Sequence, residues 1–72
     1  KQNQGELHEE LSNREFEVLL AIGRGLSITE IAEKLSLSVS TVNTYRKRIL
    51  EKMDIKTNAG LIHYVIKNNL LD

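Results

Sequence analysis

Between Ser40 and Arg48 the sequence (STVNTYRKR) is dense in side chains that donate hydrogen bonds. At about 100° per residue, Ser40, Thr44, Lys47 and Glu51 share one face of a helix, with Asn43 and Arg48 on its flanks. Such a face matches the edges of base pairs. Lys47 can donate to guanine O6 and N7, Asn43 can pair with adenine, the Thr44 methyl can meet a thymine methyl, and Arg48 can reach the same edges. The hydroxyls of Ser40 and Thr41 lie where a helix N-terminus meets phosphate. Tyr45 stands at the edge of the opposite, apolar stripe, so its ring can pack while its hydroxyl reaches outward. Lys34, Lys52 and Lys56 are candidate clamps on a sugar-phosphate backbone.

A basic run on a helix is more often a solvated face than a binding site, and the formal net charge of this chain is zero. The distribution of charge favours binding. Residues 1–33 carry three basic and seven acidic side chains, whereas residues 34–56 carry six basic and two acidic. A local positive patch, not the sum, attracts phosphate. Arg46 points nearer the buried side than Lys47 and is expected to pair with a carboxylate of the preceding helix, Glu30 or Glu33.

Other chemistries lack their parts. There is no cysteine, no glycine-rich phosphate loop, and no histidine near paired carboxylates. His8 and His63 are single and far apart in sequence. No catalytic residue, metal, cofactor or small-molecule ligand is expected in this domain.

The elements that must position the basic segment follow from capping and periodicity. A chain of 72 residues without cysteine is one small domain whose core must be efficient helix packing. No apolar run nears the roughly 20 residues of a membrane span, and nothing resembles a signal peptide, so a cytoplasmic protein is expected. Residues 1–10 read as a linker or disordered tail, and residues 11–72 as the domain. Ser12 with Glu15 forms a capping box for a first helix whose apolar face is Phe16, Leu19, Leu20 and Ile22, stopped by Gly25. Ser27 with Glu30 opens a second helix at about 28–35, burying Ile28, Ile31, Ala32 and Leu35. The run Ser36-Leu37-Ser38 breaks it, with Leu37 as a plug. Ser38 caps a third helix at about 39–53, buried through Val42, Ile49 and Met53. Thr57 or Asn58 caps a fourth at about 58–68, with Leu61, Ile62, Val65 and Ile66 inward and Leu70-Leu71 folding back. The fold is therefore an all-α bundle of four helices. Its second and third helices, joined by a tight turn, form a helix-turn-helix candidate, in which the later helix faces base edges.

Four segments resemble the LuxR-type (NarL/FixJ/GerE) helix-turn-helix family. They are Leu11 to Leu19 (LSNREFEVL), Gly25 to Ala32 (GLSITEIA), Leu37-Ser38 with Thr41-Val42, and Ile49 to Met53 (ILEKM), in order and at the family's spacing. The resemblance implies the C-terminal output domain of a bacterial response regulator or related transcription regulator. It implies 28–35 as scaffold helix, 39–53 as recognition helix and 58–68 as dimerisation helix. Positions matching Asn43, Thr44 and Lys47 would face bases, and those matching Thr41, Tyr45 and Lys52 would serve the backbone. It further implies a homodimer on an inverted repeat, with Gly60, His63, Tyr64 and Lys67 at the interface, and RNA polymerase as a further partner. Two positions depart from the family. Gly60 stands where glutamate is frequent, which weakens the helix or lets a partner helix approach. Asn43 stands where a basic residue is common. A sigma-factor promoter-reading domain and a helical protein-interaction module without DNA binding are the alternatives.

Overall fold

The computed structural model describes residues 7–71, and among them four α-helices follow a short 3₁₀ turn, Leu7–Glu10. The helices are α1 (Asn13–Gly23), α2 (Ile28–Leu35), α3 (Val39–Met53) and α4 (Asn58–Lys67). The tail expected over 1–10 lies outside the described residues at 1–6. At 7–10 it is an ordered turn instead. Two contacts explain the order: the His8 amide donates to the Tyr64 hydroxyl at 3.3 Å, and His8 Nδ1 lies 2.9 Å from that hydroxyl. The His8 ring also packs against Phe16, with centroids 5.6 Å apart.

Each helix starts on a hydroxyl. Ser12 and Ser27 complete capping boxes with Glu15 and Glu30, while Ser38 and Thr57 accept from the amides of Thr41 and Gly60. These caps satisfy amides that no helical carbonyl can reach. The four helices also end alike. A residue of positive φ (Gly25, Ser36, Asp54, Asn69) is followed by an apolar one whose amide reaches back five residues. Leu26, Leu37, Ile55 and Leu70 donate to the carbonyls of Ala21, Ala32, Leu50 and Val65 at 3.2, 2.8, 3.0 and 3.0 Å. This is the Schellman closure, and it turns an apolar side chain back onto the bundle at every helix end. Leu26, Leu37, Ile55 and Leu70 all pack against the core. Gly25 and Asn69 are residue types that favour this left-handed stop, whereas Ser36 is not.

The core comprises Val18, Leu19 and Ile22 of α1, Ile31 and Ala32 of α2, Val42, Ile49 and Met53 of α3, and Leu61 and Val65 of α4, with Ala21. Fully burying one such Leu, Ile or Val contributes roughly 1.5–3 kcal/mol. α1 is the central helix, packed by α2, α3 and α4. Its buried face therefore differs from the expected one: Val18 is fully buried, whereas Phe16 and Leu20 are only half-buried. A helix with neighbours on three sides hides more than one stripe, and simple periodicity misplaces its centre. α4 shows the opposite error. Ile66, expected inward, is 61% exposed, since α4 rests on α1 through Leu61 and Val65.

The approach of α1 to α4 is close at Gly23, where a Cβ would stand 2.7 Å from Val65 Cγ1 and 2.9 Å from Val65 Cβ. Gly23 is buried and must lack a side chain for the helices to meet at this distance.

Candidate nucleic-acid interface

The helix-turn-helix pair is α2 and α3, joined through Ser36, Leu37 and Ser38. Ser36 takes a left-handed conformation, φ 58° and ψ 45°, which reverses the chain within three residues. Leu37 is half-buried against the core and fixes the crossing from inside. Behind α3, Val42, Ile49 and Met53 are at most 1% exposed, so the helix cannot roll without opening the core.

Its outer face carries Ser40, Asn43, Thr44, Lys47, Arg48 and Glu51, all exposed. The side chains chosen from the sequence for base contact thus share one solvent-facing surface. Three hydroxyls at this helix and its cap already have partners. Thr44 Oγ1 donates to the Ser40 carbonyl at 3.1 Å, turning its polar end to the backbone. Ser38 Oγ accepts the Thr41 amide at 3.0 Å and donates to Thr41 Oγ1 at 2.8 Å. Thr41 Oγ1 is thereby the acceptor of that pair and keeps its own proton to donate elsewhere. Tyr45 is half-buried and packs against the core, as its position on the wheel requires.

The lysines divide into separate groups. Lys47 and Lys56, both exposed, line one shallow groove of about 250 Å³ together with Glu51 and Asp54. Lys34 stands in the last turn of α2, outside that groove. Lys52 has an internal partner: its Nζ lies 2.8 Å from Oε1 of Glu15. Glu15 is 3% exposed, and the same oxygen accepts the Ser12 amide at 2.8 Å. Burial alone would raise the Glu15 carboxyl, but the Lys52 ammonium and the Ser12 donors outweigh it and hold the group below its ordinary value. The Ser12-x-x-Glu15 pattern marked the capping box but gave no sign of a cation arriving from 37 residues away.

Arg46 also departs from expectation. Its Nε donates to Oδ1 of Asn58, the first residue of α4, and not to Glu30 or Glu33 of α2. The wheel placed Arg46 correctly on the inner side. It could not say that α4, not α2, begins there.

The four residues assigned to an interface on the fourth helix come together. Gly60, His63, Tyr64 and Lys67 line one groove of about 590 Å³, which also takes in Leu7 and Ile55. Gly60 has an intramolecular reason to be glycine: a Cβ there would stand 2.7 Å from the Ile55 Cγ2 methyl. The apolar residue that closes α3 fills the space a side chain at 60 would take.

A four-helix core that contains a helix-turn-helix and presents a polar, basic outer face on the later helix of the pair defines a DNA-binding regulatory domain. Residues 9–65 match the family of bacterial regulatory proteins of the luxR type, and the chain belongs to that family. It is 44% identical over 62 residues to the oxygen regulatory protein NreC of Staphylococcus carnosus (strain TM300), covering 86% of this chain and 29% of that protein. It is 42% identical over 60 residues to the response regulator UvrY of Escherichia coli (strain K12), covering 83% of this chain and 28% of that protein. The chain thus spans less than a third of the length of these relatives.

Proposed function

We infer that this domain inserts α3 into the major groove of double-stranded DNA and reads a specific sequence for transcription regulation. Asn43, Thr44, Lys47 and Arg48 are the base readers. Ser40, Thr41, Tyr45, Lys34 and Lys56 hold phosphates, and Lys52 joins them through the part of its ammonium that Glu15 leaves open. Thr44 meets bases through its methyl, because its hydroxyl is bound to the backbone. One observation carries the reading. The face of α3 opposite Val42, Ile49 and Met53 presents an unbroken set of exposed polar side chains on a helix whose inner face is buried in the core.

Two copies pair through α4, with Gly60, His63, Tyr64 and Lys67 at the contact, and place two recognition helices on an inverted repeat. The groove those residues share and the 61% exposed Ile66 on the same helix support this pairing. The whole regulator is a cytoplasmic, non-enzymatic response regulator that carries a further domain and contacts RNA polymerase from its DNA site.

Selection from a random DNA pool, followed by titration of the winners at two salt concentrations, tests the proposal. An enriched inverted repeat whose affinity falls steeply with salt is the expected result. Absence of enrichment at low salt would overturn it.

A further inference from the structure

The two helices that the proposed function needs in fixed relation are α3, which reads, and α4, which pairs. Each packs on α1 far more than on the other. Among the described residues one side-chain hydrogen bond joins them directly, from Arg46 Nε to Asn58 Oδ1. Arg46 stands one helical turn from Val42 and from Ile49, both fully buried, so its stem leaves α3 on the inner side. The guanidinium is planar and its donors point in fixed directions. A bond from Nε therefore constrains the direction of the acceptor as well as its distance.

We propose that Arg46 and Asn58 are positioning residues that set the angle between α3 and α4, and through it the spacing of the two half-sites on DNA. The inference rests on the dimeric reading above. With α4 at a two-fold axis, each recognition helix lies at the end of a lever, and the two must fall about one DNA turn apart, roughly 34 Å. A small swing of α3 against α4 displaces both helices in opposite directions along the duplex. Lys52–Glu15 ties the C-terminal part of α3 to α1, but it places no restraint on α4. The start of α4 retains its Thr57 cap and its Leu61 and Val65 packing without Arg46. Loss of the Arg46–Asn58 bond then loosens an angle without unfolding a helix.

The test is random-pool selection with the unaltered 72-residue chain, Arg46→Met, Asn58→Ala and Asn58→Asp, each first checked for helical content. Titration follows on DNAs that keep the selected half-sites and change their separation by a base pair. The unaltered chain and Asn58→Asp, which retains the acceptor, should prefer a single separation. Arg46→Met and Asn58→Ala should select the same half-site sequence with a broadened separation. Their discrimination between spacings should fall by about tenfold, the scale of one hydrogen bond to a charged group. If Arg46→Met does not fold, Asn58→Ala decides alone. Unchanged spacing in the altered chains, or loss of the half-site sequence itself, would overturn the inference while leaving the dimeric reading intact. An unaltered chain that selects no repeat would overturn the dimeric reading and this inference with it.

Discussion

Lys52 reaches from the recognition helix to the buried carboxylate of Glu15, at 2.8 Å, and so ties α3 to the N-terminal cap of α1. One oxygen serves both the cap and the ion pair. A residue whose position matches a DNA-backbone contact thus holds the fold as well, which changes what its removal measures. Lys52→Ala leaves Glu15 buried without its cation. The expected cost is about 1–3 kcal/mol of stability, below the figure for a fully buried pair because the Lys52 side chain is 42% exposed. Thermal unfolding checks this, with a fall of about 4–8 °C per kcal/mol for a domain of this size. An unchanged midpoint would show the pair to be energetically idle.

The same pair makes stability depend on acid. The Glu15 carboxyl is held below its ordinary value in the folded chain, so the unfolded state binds the proton more readily. The resulting stabilisation is complete above the ordinary glutamate range, about 4.3, and is lost as pH falls through the lower folded-state value. Urea titrations of the parent and of Glu15→Gln should therefore differ in slope against pH only in that acidic window. Parallel curves throughout would remove Glu15 as a source of the acid sensitivity.

Gly23 tests the packing of α1 on α4. Gly23→Ala puts a methyl 2.7 Å from Val65 Cγ1 and 2.9 Å from its Cβ, and overpacking of this kind costs about 1–3 kcal/mol. Because Val65 is the obstacle, the double change Gly23→Ala with Val65→Ala should cost less than the sum of the two single changes. Strict additivity in denaturant unfolding would mean that the helices part freely.

Capping residues and the seven-residue step from Val42 to Ile49 make most of the architecture legible in the sequence. Ser12, Ser27 and Ser38 start helices where short polar side chains precede apolar periodicity, and the exposed face of α3 follows once Val42, Ile49 and Met53 are inward. What escaped is what local pattern does not contain. Val18 is buried because α1 has neighbours on three sides. Ile66 is exposed because α4 has few. The helix ends near Ser36, Asp54 and Asn69 follow from the sequence, but not the left-handed backbone at each or the amide of the following apolar residue that closes it. The partners of Lys52 and Arg46 are distant in sequence, so charge and spacing placed both side chains without naming Glu15 or Asn58.

The Tyr64 hydroxyl meets the turn before α1 twice, at the His8 amide and at Nδ1. Tyr64→Phe keeps the ring against His8, whose centroid lies 5.9 Å away, but removes the group that meets both the His8 amide and Nδ1. Hydrogen exchange should quicken at the His8 amide by the equivalent of about 0.5–1.5 kcal/mol, with α3 amides unaffected. Equal protection in both proteins would place the anchoring of Leu7–Glu10 in its apolar contacts instead.

The central claim is that α3 reads base sequence, and a paired titration of Lys47→Ala and Lys56→Ala tests it most directly. Both side chains are exposed and line one groove, and neither forms an ion pair within the described residues, so their removal does not carry the structural cost of losing Lys52. Each protein is titrated against the selected site and its single-base-pair variants over a range of salt. Lys47→Ala should lose about 1–3 kcal/mol on the selected site and relax preference at one base pair. Lys56→Ala should weaken every sequence alike and lower the salt slope by about 1. Equal, sequence-independent losses from both, with base preference intact, would contradict the account.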